Sequence, residues 1–413
     1  MLADMAIELG THWDAVVVGA GAAGIFAALR AKELSPGLRV LVLERSPKPL
    51  RKVAISGGGR CNVTHACDDL DWLLSCYPRG GPRLEAILGR FMPEDTVAWF
   101  AQQGVSLKAE ADGRMFPTTD SSQTIIDCLL GCAKTRGVVV RTACRVDRLK
   151  KRGEGLFELR CDDAKLLSPR VLLATGGGTQ ATEWLAALGH EIVADIPSLF
   201  TFMVKHPVLD GLQGVAVERT ALRLSVGKER FEAEGPMLVT HWGLSGPAVL
   251  KLSAFAARAL AGQGYRAQLC CDLLPELEQV EQLIANRQPE QRLTTVSPFS
   301  AIPKRLWQRL VGQAGIAEDM TWKRLPAAQR DALFQSLKGL VLTVGGKGVF
   351  KEEFVTSGGL PLHQIDPYTM ESRKVQGLFV AGELLDVDGI TGGFNFQNAW
   401  ATGYIAGEGL GAT

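Results

Sequence analysis

Three glycines, Gly19, Gly21 and Gly24 in GAGAAG, stand where an apolar run gives way to an alanine-rich stretch. That spacing suits one task. The first glycine allows a tight turn, the second lets backbone approach a pyrophosphate, and the third lets a helix pack hard on a strand. A helix starting there turns free N–H groups and positive dipole toward a phosphate. Ala20, Ala22 and Ala23 fill the loop between the glycines. Glu44 ends RVLVLE about 20 residues later, where a carboxylate can hold a ribose hydroxyl, and Arg45 adds charge beside it. The chemistry is dinucleotide binding, and this motif alone does not separate FAD from NAD.

Two further segments make the separation. RKVAISGGGRCN, residues 51–62, places Gly57 and Gly58 in a glycine run between Lys52 and Arg60, with Cys61 and Asn62 following. Open amides and fixed charge of this kind can lie along a pyrophosphate or a flavin ring. The segment from Gly377 to Gly403 delivers Gly382 and Glu383 from a strand, with Asp388 behind them. Carboxylates there suit ribitol hydroxyls. Gly392 and Gly393 precede a helix whose N-terminal amides can face the negative charge that grows at the flavin N1–C2=O edge on reduction. RVLLA ends at Ala174, followed by Thr175 and Gly176. Together these point to FAD.

Other residues carry competing readings. His241 in THWGLSGPA is the first candidate acid or base, with Ser245 as a donor, because a group titrating near neutrality suits proton transfer. A histidine capping a loop is the plainer alternative. A Cys61 thiolate could stack on a flavin, or the side chain could simply pack. Lys347 and Lys351 could bind an anion or form a solvated turn. Cys128 and Cys132 lie one helical turn apart with no histidine nearby, so core packing is expected and no metal site is assigned. Gly176 to Ala181 fits GxGxxA, but Glu191 and Asp195 come too early as its acidic partner and Pro197 ends the segment. A second dinucleotide fold is therefore not expected, and NADH or NADPH, if used, would dock transiently as reductant.

The elements that position these residues follow from periodicity. DAVVV and RVLVLE read as buried strands around an alanine-rich helix, and RVLLA as a third strand. Residues 82–104 and 121–136 read as helices, with Pro93 starting one of them. Residues 138–149 and 156–161 read as strands joined around Gly153–Gly155. Short alternating strands fill 195–241, residues 275–338 read mostly as helix, and residues 395–409 form a last helix. The 413 residues exceed what one core organises. The reading is α/β: a discontinuous nucleotide domain, 1–194 and 342–413, with a β-rich insertion at 195–272 and a helical subdomain at 273–341.

Composition narrows the partners. Net charge is +1, so no whole-molecule field favours nucleic acid or an anionic membrane. No run of about 18 apolar residues predicts a membrane helix. Asp4 and Glu8 interrupt an N-terminal stretch that lacks the basic region of a signal peptide. The nine cysteines contain no CxxC pair and are expected reduced in the cytoplasm. Lys134 to Arg152 holds eight basic residues and one acid, Asp147. This run reads as a solvated sheet edge, with RNA contact through Arg148, Lys150 and Lys151 as the alternative. The expected partner is a small-molecule substrate, with no membrane and no nucleic acid.

In combination, DAVVVGAGAAG, KVAISGGGRCNVTH, VLLATGG, THWGLSGPAVLKLS, FVTSGGL, DPYTMESRKVQGLFVAGELLDVDG and TGGFNFQNAWATG are recognisable. From about residue 14 to 407 the chain resembles a bacterial family of NAD(P)/FAD-dependent oxidoreductases, the aminoacetone-oxidase-like and bile-acid enone reductase-like flavoproteins. The resemblance implies a Rossmann-like FAD domain, a β-barrel-like insertion and a helical subdomain. It carries FAD contacts onto Gly19, Gly21, Ala23, Gly24, Glu44, Arg45, Lys52, Gly57, Gly58, Arg60 and Asn62. It carries them also onto Thr175, Gly176, Gly382, Glu383, Asp388, Gly393 and Asn395, and onto the Val146 backbone at the adenine. One departure is the direct passage through Gly178–Thr179–Gln180, where relatives carry a longer loop. The expected activity is hydride transfer through flavin N5 on a small or medium organic molecule. The alternative is a flavin-holding, RNA-associated regulatory protein without turnover.

Overall fold

The structure is a computed structural model that describes residues 11–161, 164–277, 290–293, 297–348 and 355–412. They form two compact units. One runs up to Asp195 and resumes at Val355, and the other spans the residues between them.

In the first unit, β1 (Ala15–Val18) and β2 (Val40–Leu43) are continuous apolar runs, buried at every position. Strands covered on both faces belong in a parallel sheet. Five parallel strands lie in the order Leu378–Val380, Arg170–Leu173, β1, β2, Val139–Arg141. The sheet is thus built from both ends of the chain. Between β1 and β2 runs α1 (Ala22–Leu34), and the closing helix Phe394–Gly411 packs along it.

Small residues let these two helices meet backbone to backbone. A Cβ on Gly403 would stand 2.6 Å from the Ala23 carbonyl, one on Gly407 2.6 Å from Ala27, and one on Gly411 3.2 Å from Ala31. Both series advance by four residues in the same direction, so the helices run parallel. Phe26 joins the pair to Trp99 and Trp400, with ring centroids 4.7 and 5.4 Å away.

Residues 138–149 are two strands, not the single one expected. Ala143 sits at φ +51°, and beyond it Val146–Lys151 leaves the parallel sheet for an antiparallel meander with Phe157–Cys161 and Ala164–Ser168. The basic run follows the break, so it is divided between elements rather than lining one sheet edge. Val146 pairs with Cys161, which brings Cys144 beside it. Cys144 and Cys161 thus face each other across the two strands, with Cα atoms 6.0 Å apart. The strand after Arg170–Leu173, Val193–Ser198, pairs with Val355–Gly359 and takes no place in the parallel sheet.

The second unit is a closed barrel of six antiparallel strands, ordered Phe202–Val204, Gly243–Ser245, Glu229–Val239, Ala216–Val226, Ala267–Asp272, Leu340–Lys347. Leu222, Leu224 and Val226 alternate inward, as the period-two pattern requires. Two boundaries differ from the sequence reading. Leu340–Lys347 closes the barrel against Phe202–Val204 and Ala267–Asp272, so a cut at 342 would split a barrel strand. The helices Lys304–Gln313 and Ala327–Lys338 bury Trp307, Leu310, Leu333 and Leu337 in the same core as Leu269 and Leu342, so they form no separate subdomain. Among the described residues, no helix is long and apolar enough to cross a membrane.

Candidate functional site

The three motif glycines differ in what they meet. Gly19 holds φ +110°, and a Cβ there would strike the Ala174 carbonyl at 2.3 Å. One on Gly24 would lie 2.0 Å from the Gly19 carbonyl. Both glycines are demanded by the protein's own packing. Gly21 is different: its φ is −85°, and a Cβ would meet nothing within 4 Å. No internal contact requires a glycine there, but a ligand lying on the loop would. Gly21 is also the N-cap of α1 and provides no side-chain cap, so the first-turn amides beginning at Ala22 and Ala23 point outward.

Glu44, half-buried at the end of β2, accepts from Ala20 N–H at 3.0 Å and Ser46 N–H at 2.8 Å. Those bonds aim the carboxylate and occupy the Ala20 amide, while Arg45 is exposed beside it. A carboxylate has about four acceptor sites, so capacity remains for a hydroxyl.

A second group assembles from distant segments. Lys52 pairs with Glu383 across the end of the sheet. Glu383 also accepts from Thr356 N–H at 3.2 Å, and a Cβ on Gly176 would lie 3.4 Å from its carboxylate. Thr175 and Gly176 are accessible here, whereas Ala174 is buried in the sheet. Gly382, at φ +74°, donates to Thr402 Oγ1 at 3.0 Å, tying this corner to the closing helix. Asp195 lies beside Glu383 and Asp386. Burial pushes its carboxyl up, and the two like charges add to the effect.

The RCN segment meets the Gly392–Gly393 loop. The Asn62 amide accepts from Gly393 N–H at 3.0 Å and donates to the Thr64 carbonyl at 2.9 Å. Gly393, at φ +98°, is the N-cap of the closing helix and again gives no side-chain cap. Gly57 is pinned, since a Cβ would reach Asn62 N and Phe116 at 2.9 Å, while Gly58 opens to free space at φ +68°. Gln397, Thr64 and Thr96 form a buried knot: both hydroxyls donate to Gln397 Oε1, at 2.7 and 2.8 Å. Sequence reasoning missed these positioning residues. The available signal was polar Gln397, Asn398 and Thr402 inside an otherwise buried helix, and Asn398 Oδ1 still lacks a hydrogen-bond partner.

Several expected contacts are redirected. Asp388 is fully buried and engages Arg79, so its carboxylate does not line the surface. Asn395 spends both amide atoms on the Gly389 backbone, each at 2.9 Å. The Val146 carbonyl accepts from Gln180 Nε2 at 3.1 Å. Arg60 bonds Glu110 at 2.6 Å and covers the Phe116 ring at 4.0 Å, which neutralises much of its charge. Cys61 is fully buried, and burial pushes its thiol up to about 12, so no thiolate forms near neutrality.

In the second unit, His241 is exposed on the turn before Gly243–Ser245. Ser245 accepts from Thr201 Oγ1 at 3.2 Å. Lys347 Nζ lies 4.5 Å from the Tyr265 ring centroid, and Lys351 falls outside the described residues. Among the described residues, no group of three or more His, Cys, Asp or Glu could hold a metal ion.

The two uncapped helix N-termini define the site's scale. Alignment of Gly403 with Ala23 places the start of the closing helix eight residues ahead of the start of α1. At 1.5 Å per residue that is about 12 Å. Two positive helix ends on one side of a parallel sheet, so spaced, with an open cradle over one, suit the pyrophosphate and ring of a single long dinucleotide.

Comparisons with known proteins agree with this fold. Residues 13–409 match the sequence profile of a family described as HI0933-like protein Rossmann domain. The chain is 31% identical over 405 residues to 3-dehydro-bile acid delta(4,6)-reductase of Clostridium scindens, covering 95% of this chain and 97% of that one. It is 32% identical over 412 residues to ribosomal RNA dihydrouridine synthase of Escherichia coli (strain K12), covering 97% and 98%. In fold it is similar to 3-ketosteroid delta1-dehydrogenase from Sterolibacterium denitrificans. The TM-score is 0.52 at 14% identity, covering 97% of this chain and 99% of that chain.

Proposed function

This chain belongs to the HI0933-like Rossmann-domain family of FAD-dependent oxidoreductases, and on that premise we propose that it reduces a carbon–carbon double bond conjugated to a carbonyl. The names of both relatives fit this chemistry: one is a delta(4,6)-reductase of a 3-dehydro-bile acid, the other a dihydrouridine synthase of ribosomal RNA. The observation that supports a flavin in this reaction is the pair of parallel, uncapped helix N-termini offset by about 12 Å.

The residues present fit FAD. The first turn of α1 and the open face of Gly21 would hold the pyrophosphate, and Glu44 the adenosine ribose. Lys52 and Glu383 would flank the middle of the cofactor, and the closing helix would offer amides to the flavin's pyrimidine edge. When bound, FAD supplies the hydride. The protein's remaining task is to deliver a proton to the carbon alpha to the substrate carbonyl. Asp195, which lies beside Glu383 and Asp386, and His241 are the candidates for that task. We take NADH or NADPH as the reductant and the cytoplasm as the setting.

The test is anaerobic. The purified protein should retain flavin, bleach with NADH or NADPH, and recover colour on adding a 3-oxo-4-ene steroid or ribosomal RNA. Absence of flavin after incubation with FAD, or no recovery with either acceptor, overturns the reading. A uracil in RNA is the acceptor favoured by one observation, the cationic sheet face described next.

A further inference from the structure

The meander of Val146–Lys151, Phe157–Cys161 and Ala164–Ser168 buries Phe157, Leu159 and Cys161 on one face and turns cations outward on the other. Its register aligns them. Arg148 stands opposite Arg160, and Arg160 opposite Lys165, giving a row of three like charges across adjacent strands. Such rows disfavour the sheet unless an anion covers them. Along the first strand, Arg148, Lys150 and Arg152 recur every second residue on this face, a repeat of about 7 Å. That step is on the scale of successive phosphates in an extended single strand.

Only one described carboxylate sits within the face. Glu158 is opposite Lys150, just 4% exposed, and serves Arg152, Lys165 at 3.0 Å and Arg160 at 3.9 Å. Lys165, then Arg152, holds its carboxyl below the usual range, so it remains ionised as the hub of the cluster. Five cations surround this single charge, and Arg148 and Lys150 have no ion-pair partner among the described residues. Asp147 pairs instead with Arg145 at the strand's start, at 3.6 Å, and Asp162 and Asp163 lie outside the described residues. Beside the hub is a shallow recess of about 320 Å³ with Leu156 and Leu167 in its lining and Arg152 and Lys165 beside them.

We propose that this outer face docks the phosphate backbone of RNA. The inference deepens, and rests on, the reading that the reducible group is a uracil carried in RNA. None of the described residues that the three strands turn outward is aromatic, so the face tracks backbone rather than stacking bases, and it positions the strand without reading its sequence. Lys151 takes no part. Its Nζ lies 3.9 Å from the Phe157 ring centroid and bonds the Gly155 and Gln376 carbonyls on the opposite side.

The experiment uses the whole flavin-loaded protein and a fluorescein-labelled single-stranded RNA of mixed sequence, followed by anisotropy over a salt series. Each phosphate neutralised on a single strand contributes about −0.7 to the slope of log K against log salt. The triple change Arg148→Gln, Lys150→Gln, Arg160→Gln should flatten the slope by roughly 2 and weaken low-salt binding at least about tenfold. Flavin content and NADPH reduction should be unchanged. Glu158→Gln, which removes the hub charge, should tighten binding, while Lys151→Gln should leave it unaltered. Equal RNA binding by the triple variant and the parent overturns the proposal, as does binding of anionic phosphatidylserine vesicles but not of RNA. If the triple variant loses RNA binding but the parent forms no dihydrouridine in ribosomal RNA, the face stands and the uracil reading fails. If the triple variant binds and modifies RNA normally, the face fails and that reading stands.

Discussion

Gly21 and Gly24 belong to one motif but answer to different constraints, and substitution separates them. A valine at position 21 enters open space at an ordinary φ. Its cost to folding should be about 0.5–1 kcal/mol, the loss expected when a fair N-cap residue gives way to a poor one. It should nevertheless abolish flavin retention, because the methyls occupy the cradle. An alanine at position 24 drives Cβ into the Gly19 carbonyl at 2.0 Å and should cost about 1–3 kcal/mol or more. Urea unfolding of the apo-protein together with flavin content after desalting distinguishes the two. Equal loss of stability in both variants would refute the division. Much of this was legible beforehand, because the glycines, Glu44 and the strands around them are close neighbours along the chain. The Arg79–Asp388 pair was not, since its members stand 309 positions apart and sequence shows Asp388 only as an acid after a strand.

At the scale of elements, the contact between α1 and the closing helix sets the distance between the two helix N-termini. Gly407 faces the Ala27 carbonyl and the Arg30 stem at 2.6 Å, so Gly407→Ala must push the helices apart. The expected cost is about 1–3 kcal/mol, read as a lower urea midpoint at unchanged m-value. Added FAD should restore part of the loss by mass action. A variant with the parent's midpoint would show that the helices do not need this approach. Sequence reading found both helices from their alanine and glycine content but not their parallel pairing, since spacing inside one helix says nothing about its partner. The same limit applies to residues 138–149. The run is apolar enough for one strand, and only the left-handed Ala143 reveals that it serves two sheets. The barrel's last strand, Leu340–Lys347, is cut at 342 by the sequence reading for a related reason: its glycines mimic those of the nucleotide segments.

For the whole molecule, each unit has its own hydrophobic core. The chain leaves and re-enters the first unit on paired strands, where a Cβ on Gly358 would lie 2.6 Å from the Ala194 carbonyl. Replacement of residues 196–354 by a short Gly-Ser linker should therefore leave a folded unit that binds FAD but no longer passes hydride to an acceptor. Flavin absorbance with circular dichroism tests the first half, and anaerobic reoxidation the second. Failure to fold would mean that the insertion supports the sheet.

The parallel sheet also imposes a schedule. Leu378–Val380 takes its place beside Arg170–Leu173 only after about 200 further residues have been made. At 5–20 residues per second, the ribosome needs roughly 10–40 s for that interval. Throughout it, Arg170–Leu173 presents an unpaired edge and α1 an uncovered apolar flank, while the contiguous barrel can already fold. The parallel sheet and the paired helices are thus completed only after the barrel has been made.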